Sequence, residues 1–207
     1  MTRMGDICYK HQVLVISDEI HADFVFSGKH HVFVNLKEEY KEIAIIATSP
    51  SKTFNLAGLQ ISNILIPNKE VRKKFAKQID AAGYSQLNVM GLVAAKAAYE
   101  HGEEWYEAMH NYVEANIGYT REFVKERLPH VSLVEGEGTY LLWLDFRELN
   151  LSESEMEKLI IQKAKLWLDS GRIFGTSGIG FQRINVACPR KTLTEALTRL
   201  ELAVKSL

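Results

Sequence analysis

Cysteine is nearly absent, with only Cys8 and Cys188 in 207 residues. Two cysteines are too few for a disulfide framework, and their spacing matches no zinc motif. Proline (4) and glycine (13) are sparse as well, which argues against extended disorder. Neither sign of charge is in excess: 25 basic and 26 acidic side chains leave a formal net charge of −1. A general nucleic-acid binder draws its affinity from clustered Lys and Arg, so that class is set aside. No apolar run reaches the roughly 18 residues of a membrane span. The opening Met1–Ile7 has no apolar core of a secretory signal. What is present, 46% hydrophobic and 25% charged residues, is the balance of a soluble globular protein. The length allows one domain, or one and a piece of another.

Three short apolar runs stand out: Val13–Ser17, Ile43–Ala47 and Ile61–Ile66. Runs this short and continuously apolar predict strands buried on both faces, hence a sheet covered on both sides and an α/β fold. Between residues 68 and 127 the pattern turns helical. Asn68 is a candidate cap for a helix carrying Val71, Phe75, Ile79 and Ala82, with Gly83 as its stop. Leu87–Glu100 is apolar nearly all round and predicts a buried helix. Glu103–Arg127 predicts one long helix, ended by Pro129. Further on, Thr139–Asp145 and Phe181–Val186 read as strands. Ser152–Glu155 and Thr192–Glu195 both have capping-box spacing, and Gly171–Gly180 reads as a flexible loop. No internal repeat is present. The long helix is the candidate connector, dividing the chain into residues 1–102, a connecting helix 103–127 and a smaller α+β part 128–207.

Three places can carry chemistry. Asp18 ends the first strand, and ligands of parallel sheets bind beyond the carboxyl ends of the strands. A carboxylate there can pair with a cationic ligand nitrogen. Glu19, His21 and Asp23 follow closely, but residues at this spacing in a turning loop do not converge on a metal. Lys52 follows the second strand within Thr48-Ser-Pro-Ser-Lys-Thr-Phe-Asn-Leu-Ala-Gly58. A lysine in an apolar pocket can lose its proton and attack carbonyl groups, and Ser49, Ser51 and Thr53 can donate hydrogen bonds to a phosphate. Arg183 shares a strand face with Asn185, and its planar fork suits bidentate capture of a carboxylate. Taken singly, each residue also fits a plainer role: a strand-ending Asp, a surface lysine in a loop, a structural salt bridge. Cys188 reads as a packing residue.

In order and spacing, Asp18-Glu-Ile-His21, Ser49-Pro-Ser-Lys-Thr-Phe-Asn-Leu-Ala-Gly58 and Gly180-Phe-Gln-Arg-Ile-Asn-Val-Ala-Cys-Pro189 resemble the fold-type-I pyridoxal-phosphate enzymes. The nearest resemblance is to PatB/MalY-like members of the class I/II aminotransferases, which act as cystathionine β-lyases or C–S lyases. The resemblance implies pyridoxal 5'-phosphate as cofactor. It implies that Lys52 holds the cofactor and later moves the substrate Cα proton, and that Asp18 pairs with the pyridine nitrogen. His21 stands where many aminotransferases carry a tyrosine near the phenolic oxygen. Ser49 and Ser51 match phosphate-side hydroxyls, and Arg183 matches the grip on the substrate α-carboxylate. Gln60 stands where many relatives carry a phosphate-binding Arg, so that charge is missing.

Members of this family are roughly twice this long. The resemblance therefore implies a C-terminal portion: part of the large cofactor domain, with a mainly parallel sheet and helices, plus a small α+β domain. It further implies a PLP-dependent C–S β-lyase acting on a sulfur-containing amino acid, a homodimer, and a cytoplasmic setting, without nucleic acid or membrane. An aminotransferase is the alternative within the family. A non-catalytic fragment or dimerisation module is the alternative from another class.

Overall fold

The computed structural model describes every residue except Ser85. It divides into two compact units, Met1–Glu107 and Ala108–Leu207.

In the first unit, helix α1 (Thr2–Lys10) precedes strand β1 (Val15–Asp18), and strand β2 (Ala44–Thr48) follows after two short 3-10 turns. β1 and β2 pair in parallel, while strand β3 (Asn63–Leu65) pairs antiparallel with β2. The sheet therefore holds one parallel and one antiparallel pair, rather than being mainly parallel. Phe33, Tyr40, Ala44 and Ile46 form its core with Val15, Val34 and Leu36 packed against them. The Phe33 and Tyr40 rings stack at 5.0 Å. Burial, helped by the neighbouring Asp6 carboxylate, pushes the Tyr40 phenol up to about 12. It thus stays a donor at neutral pH, 2.7 Å from both the Thr2 carbonyl and Asp6 Oδ1. Gly5 is required here, because a Cβ would sit 2.4 Å from Tyr40 Cζ.

Helices α2 (Lys69–Ala81) and α3 (Val89–His101) follow, each begun by an asparagine whose side chain accepts first-turn N–H groups: Asn68 from Glu70 and Val71, Asn88 from Met90. Three expectations of burial fail in this unit. β1 alternates, leaving Ile16 72% exposed. β3 is three residues long and exposed throughout. The left-handed backbone at Gln60 and Pro67 confine it, while Ile61 and Ile66 turn inward at its ends. On α3 only Gly91 and Ala95 are buried, and Val89, Met90, Leu92, Val93 and Tyr99 are exposed.

Helix α4 (Glu103–Arg127) carries the division between the units. Its second-unit stretch buries Val113, Asn116, Ile117, Thr120, Phe123 and Val124, the three-and-four spacing of one helical face. Strands β4 (Ser132–Val134), β5 (Leu141–Asp145), β6 (Asp169–Ser170) and β7 (Phe181–Asn185) form an antiparallel sheet in the order β4-β5-β7-β6. Helix α5 (Glu153–Glu157) has the predicted Ser152–Glu155 capping box and runs on into a π-helical turn, Lys158–Lys163. Helix α6 (Arg190–Lys205) buries Leu193, Leu197, Leu200, Ala203 and Val204. It starts two residues before Thr192, so the second predicted capping box does not form. Pro189 stands at its N-cap instead, where a missing N–H costs nothing.

The Gly171–Gly180 segment is not a loose loop. It makes two 3-10 turns, Gly171–Phe174 and Thr176–Gly178. Gly171 and Gly178 approach so closely that a Cβ on either would meet the other's carbonyl oxygen at 2.0 and 2.1 Å. No helix among the described residues is long and apolar enough to cross a membrane.

An ion cluster around a buried carboxylate contributes to the acid response of the second unit, beside the lowered carboxyls of Glu135, Asp145 and Glu155. The nearly buried Glu201 carboxylate accepts from Arg127 and Lys205, each at 2.6 Å. The Lys205 hydrogen bond is the main reason its carboxyl lies below the ordinary glutamate value, with Arg127 adding to it. A lowered carboxyl contributes stability that is present above its unfolded value and lost as pH falls through the folded one. Glu201→Gln is therefore expected to flatten the acid limb of thermal stability while leaving the neutral-to-alkaline profile parallel. Melting temperatures between pH 3 and pH 8 check this, and unchanged acid slopes would contradict it.

Candidate active site

Asp18 and the segment after Thr48 leave the sheet at the same end. Asp18 is in register with Ala47, and the pairing runs on one residue through Glu19 N–H donating to the Ala47 carbonyl at 2.8 Å. Alternation puts Asp18 on the strand face of Ile16, and both are exposed. Asp18 Oδ1 accepts the Ile20 N–H at 3.2 Å. The residue also borders a cavity of about 270 Å³ walled by Met4, Cys8, Ile16 and Phe33.

The Ser49–Leu56 segment is fixed along its length. Ser49 Oγ donates to the Ile61 carbonyl at 2.6 Å and accepts the Ser51 N–H at 3.0 Å. Phe54 N–H donates to Pro50 and Leu56 N–H to Ser51, at 2.8 and 2.9 Å. Buried Thr53 donates its hydroxyl to Asp23 at 2.6 Å. The Phe54 ring lies against Trp105 at 5.6 Å and meets Tyr99 edge-on at 6.5 Å. Gly102 makes room for that ring, since a Cβ there would stand 2.4 Å from Phe54 Cε1.

Lys52 is thus an exposed side chain between two buried neighbours, Ser51 and Thr53. It does not sit in the apolar pocket expected of it: the residue is exposed. Its backbone is held, and its ammonium group has no ion-pair partner among the described residues. Ser49 does not match its expected role as a donor either: its one hydroxyl hydrogen goes to Ile61. Ser51 is buried as a residue, and its hydroxyl has no hydrogen-bond partner among the described residues. Gln60 is exposed in the left-handed region, with φ of 54°.

The acidic neighbours of Asp18 are spent on the loop. Buried Glu19 accepts from Ser17 Oγ (3.0 Å) and Phe33 N–H (3.0 Å), and pairs with His30 Nε2 (2.8 Å). Asp23 takes the Thr53 hydroxyl, and its carbonyl takes the Tyr106 hydroxyl at 2.8 Å. Burial pushes the Tyr106 and Tyr99 phenols up, so both stay protonated; Tyr106 donates to Asp23, while the Tyr99 hydroxyl accepts from the Asn63 amide at 3.0 Å. The half-buried His21 ring lies 6.0 Å from that of Phe24. Sequence reasoning weighed Asp23 as a metal ligand and missed its role as acceptor for the residue beside Lys52. The six-residue run from Asp18 to Asp23 held the residue types but not that pairing.

In the second unit Arg183 lies on β7, on the face opposite the core residues Gln182 and Ile184. Strand alternation gives the core side to its neighbours and leaves Arg183 on the face it shares with Asn185. Arg183 is already paired, its Nε and Nη2 both reaching Asp169 Oδ2, at 3.0 and 2.6 Å. Asp169 was missed, because a two-residue strand has no periodicity to read. Buried Asn116 was missed too. Its amide donates to the Val186 and Cys188 carbonyls at 2.8 Å each and accepts from Arg190 Nε at 2.7 Å. Burial pushes the Cys188 thiol up, consistent with a packing role.

Comparison with known proteins adds a family to this geometry. The family model "Aminotransferase class I and II" matches residues 1–200. Cystathionine beta-lyase PatB of Bacillus subtilis is 37% identical over 205 residues, 99% of this chain and 53% of that protein. Protein MalY of Escherichia coli is 32% identical over 98% of this chain and 52% of its own length. The crystal structure of cystalysin from Treponema denticola, which contains a pyridoxal 5'-phosphate cofactor, superposes with a TM-score of 0.95 at 37% identity. It covers 99% of this chain and 52% of that one. The chain thus spans about half the length of the relatives it matches. A family match over residues 1–200, with Asp18 and Lys52 at the carboxyl ends of adjacent parallel strands, leads to one conclusion: this chain belongs to the class I and II aminotransferases.

Proposed function

We propose that the protein carrying this chain is a pyridoxal-phosphate-dependent C–S β-lyase of the cystathionine β-lyase type. The observation that carries the reading is the pair formed by Asp18 and Lys52 past the carboxyl ends of neighbouring parallel strands, where ligands of such sheets bind. Among the described residues, a lysine without an ion-pair partner in a segment anchored by its neighbours, a carboxylate with one oxygen left over and a Ser51 hydroxyl without a partner fit the aldehyde, ring nitrogen and phosphate of that cofactor. The lyase chemistry rests on likeness to the PatB cystathionine beta-lyase.

When bound, the cofactor supplies an electron sink for charge developing at the substrate Cα. Lys52 would hold the cofactor covalently and serve as the base for the substrate Cα proton. Asp18 keeps a proton on the pyridine nitrogen. Ser51 donates to the phosphate, with His21 near the phenolic oxygen. Ser49 stays part of this reading as an acceptor that fixes Ser51. Arg183 holds the α-carboxylate. With a sulfur on Cβ, loss of the Cα proton and of thiolate consumes one water overall and yields thiol, pyruvate and ammonia. The reading also takes a homodimer and a cytoplasmic setting, in keeping with two free cysteines.

The holoenzyme is expected to release pyruvate from L-cystathionine in step with thiol. Conversion of the amino acid to its 2-oxo acid without thiol release, with the amino group passed to an added 2-oxo acid, would favour the aminotransferase reading, which the family match itself supports. Failure of the protein to retain cofactor at all would favour a non-catalytic module.

A further inference from the structure

Arg183 is held in a frame built by three strands and one turn. In register across the sheet lie Asp169 on β6, Arg183 on β7 and Trp143 on β5. Asp169 takes Nε and Nη2 through a single oxygen, which fills the side edge of the guanidinium. The Phe174 ring covers one face, with its centroid 4.8 Å from Arg183 Cζ. Phe174 is itself held edge-on by Trp143 at 5.4 Å, and Trp143 stacks on Phe181 at 5.3 Å. Among the described residues nothing takes the outer edge formed by Nη1 and Nη2. A guanidinium offers two edges that each fit a carboxylate, and here one is filled and one is open.

Resting on the reading of Arg183 as the substrate-carboxylate residue, we propose that Asp169 is its positioning residue, with Phe174 as the stacking support. Asp169 occupies the Nε edge so that the Nη1–Nη2 edge is presented to an α-carboxylate with the side chain already ordered. An arginine ordered before binding does not lose its rotamer freedom when the ligand arrives. Asp169 therefore acts on affinity for the carboxylate and not on the rest of the substrate.

The test compares L-alanine with L-alaninamide, which lacks the carboxylate charge, in the cofactor-loaded protein. Dissociation constants are read from the change in visible absorbance. Asp169→Ala is expected to weaken L-alanine binding about tenfold and to leave L-alaninamide unchanged, with Asp169→Glu restoring most of the loss. If both ligands weaken together, or neither does, the positioning role is wrong. Tighter L-alanine binding in Asp169→Ala would also overturn it, showing that Asp169 competes for Arg183. Arg183→Ala separates the two claims. If it removes the preference for the acid over the amide while Asp169→Ala leaves that preference unchanged, only the positioning role falls. If Arg183→Ala leaves the preference intact, the carboxylate assignment falls with it. Should Asp169→Ala fail to fold, Asp169→Asn, which keeps the shape and loses the charge, serves in its place.

Discussion

Lys52→Ala is expected to abolish covalent cofactor capture and to lower turnover of the holoenzyme by about 10³-fold or more. One nitrogen is assigned two tasks, covalent attachment and proton transfer at Cα. General base catalysis alone contributes about 10²–10⁴-fold. The loss comes without unfolding. The lysine side chain is exposed and unpaired, while the anchors of the segment lie on its neighbours: Ser49 to Ile61, Thr53 to Asp23, Phe54 among Trp105 and Tyr99. Surface substitutions of this kind stay within about ±0.5 kcal/mol, so the melting curve of the cofactor-free variant should overlay that of the cofactor-free unaltered protein. Lys52→Arg should fare no better, because a guanidinium does not lose its proton. Turnover within tenfold of the unaltered protein in Lys52→Ala would remove Lys52 from the chemistry.

Asp18→Asn is the second large effect. The substitution is nearly isosteric and its Oδ1 can still accept the Ile20 N–H, so β1 and its register with β2 should persist. What goes is the negative charge that the reading assigns to the ring nitrogen. A hydrogen bond to a charged group is worth about 1.5–3 kcal/mol net, so cofactor retention should weaken by about 10- to 100-fold. Turnover should fall further, since an unprotonated ring accepts less charge from Cα. Equilibrium titration with pyridoxal phosphate checks the first claim and initial rates the second. Unaltered cofactor affinity in Asp18→Asn would leave Asp18 as a strand-ending residue only.

Much of the helical part is written plainly in the residues. α6 announces itself through Leu193, Leu197, Leu200 and Val204, and α2 through Asn68 and its spaced apolar positions, although none of the latter is fully buried. The start of α6 was misread because Thr192–Glu195 has capping-box spacing, while Pro189 and its fixed φ begin the helix earlier. Burial was legible in the second unit and poorly so in the first. Val13, Leu14 and Ile16, and likewise Val89, Met90, Leu92 and Val93, are apolar enough to be covered, yet they are exposed. Hydrophobic pattern reports which surface a chain can bury, not which surface is covered. Asp18, Lys52 and Arg183 were legible as candidates because strand ends and motif spacing mark them. Asp23, Glu19 and Asp169 were not. Their roles come from pairings across 30, 14 and 14 residues, and such pairings exist only once the loops have closed.

The assignment of Lys52 can be tested by one chemical experiment. The protein is incubated with pyridoxal phosphate, reduced with borohydride, digested and mapped. The site geometry leads to a single reduced adduct on Lys52, absent in Lys52→Ala, although the chain offers other exposed lysines such as Lys73 and Lys96. An adduct shared among surface lysines, or carried elsewhere with Lys52 unmodified, would contradict both the site and the function proposed for it.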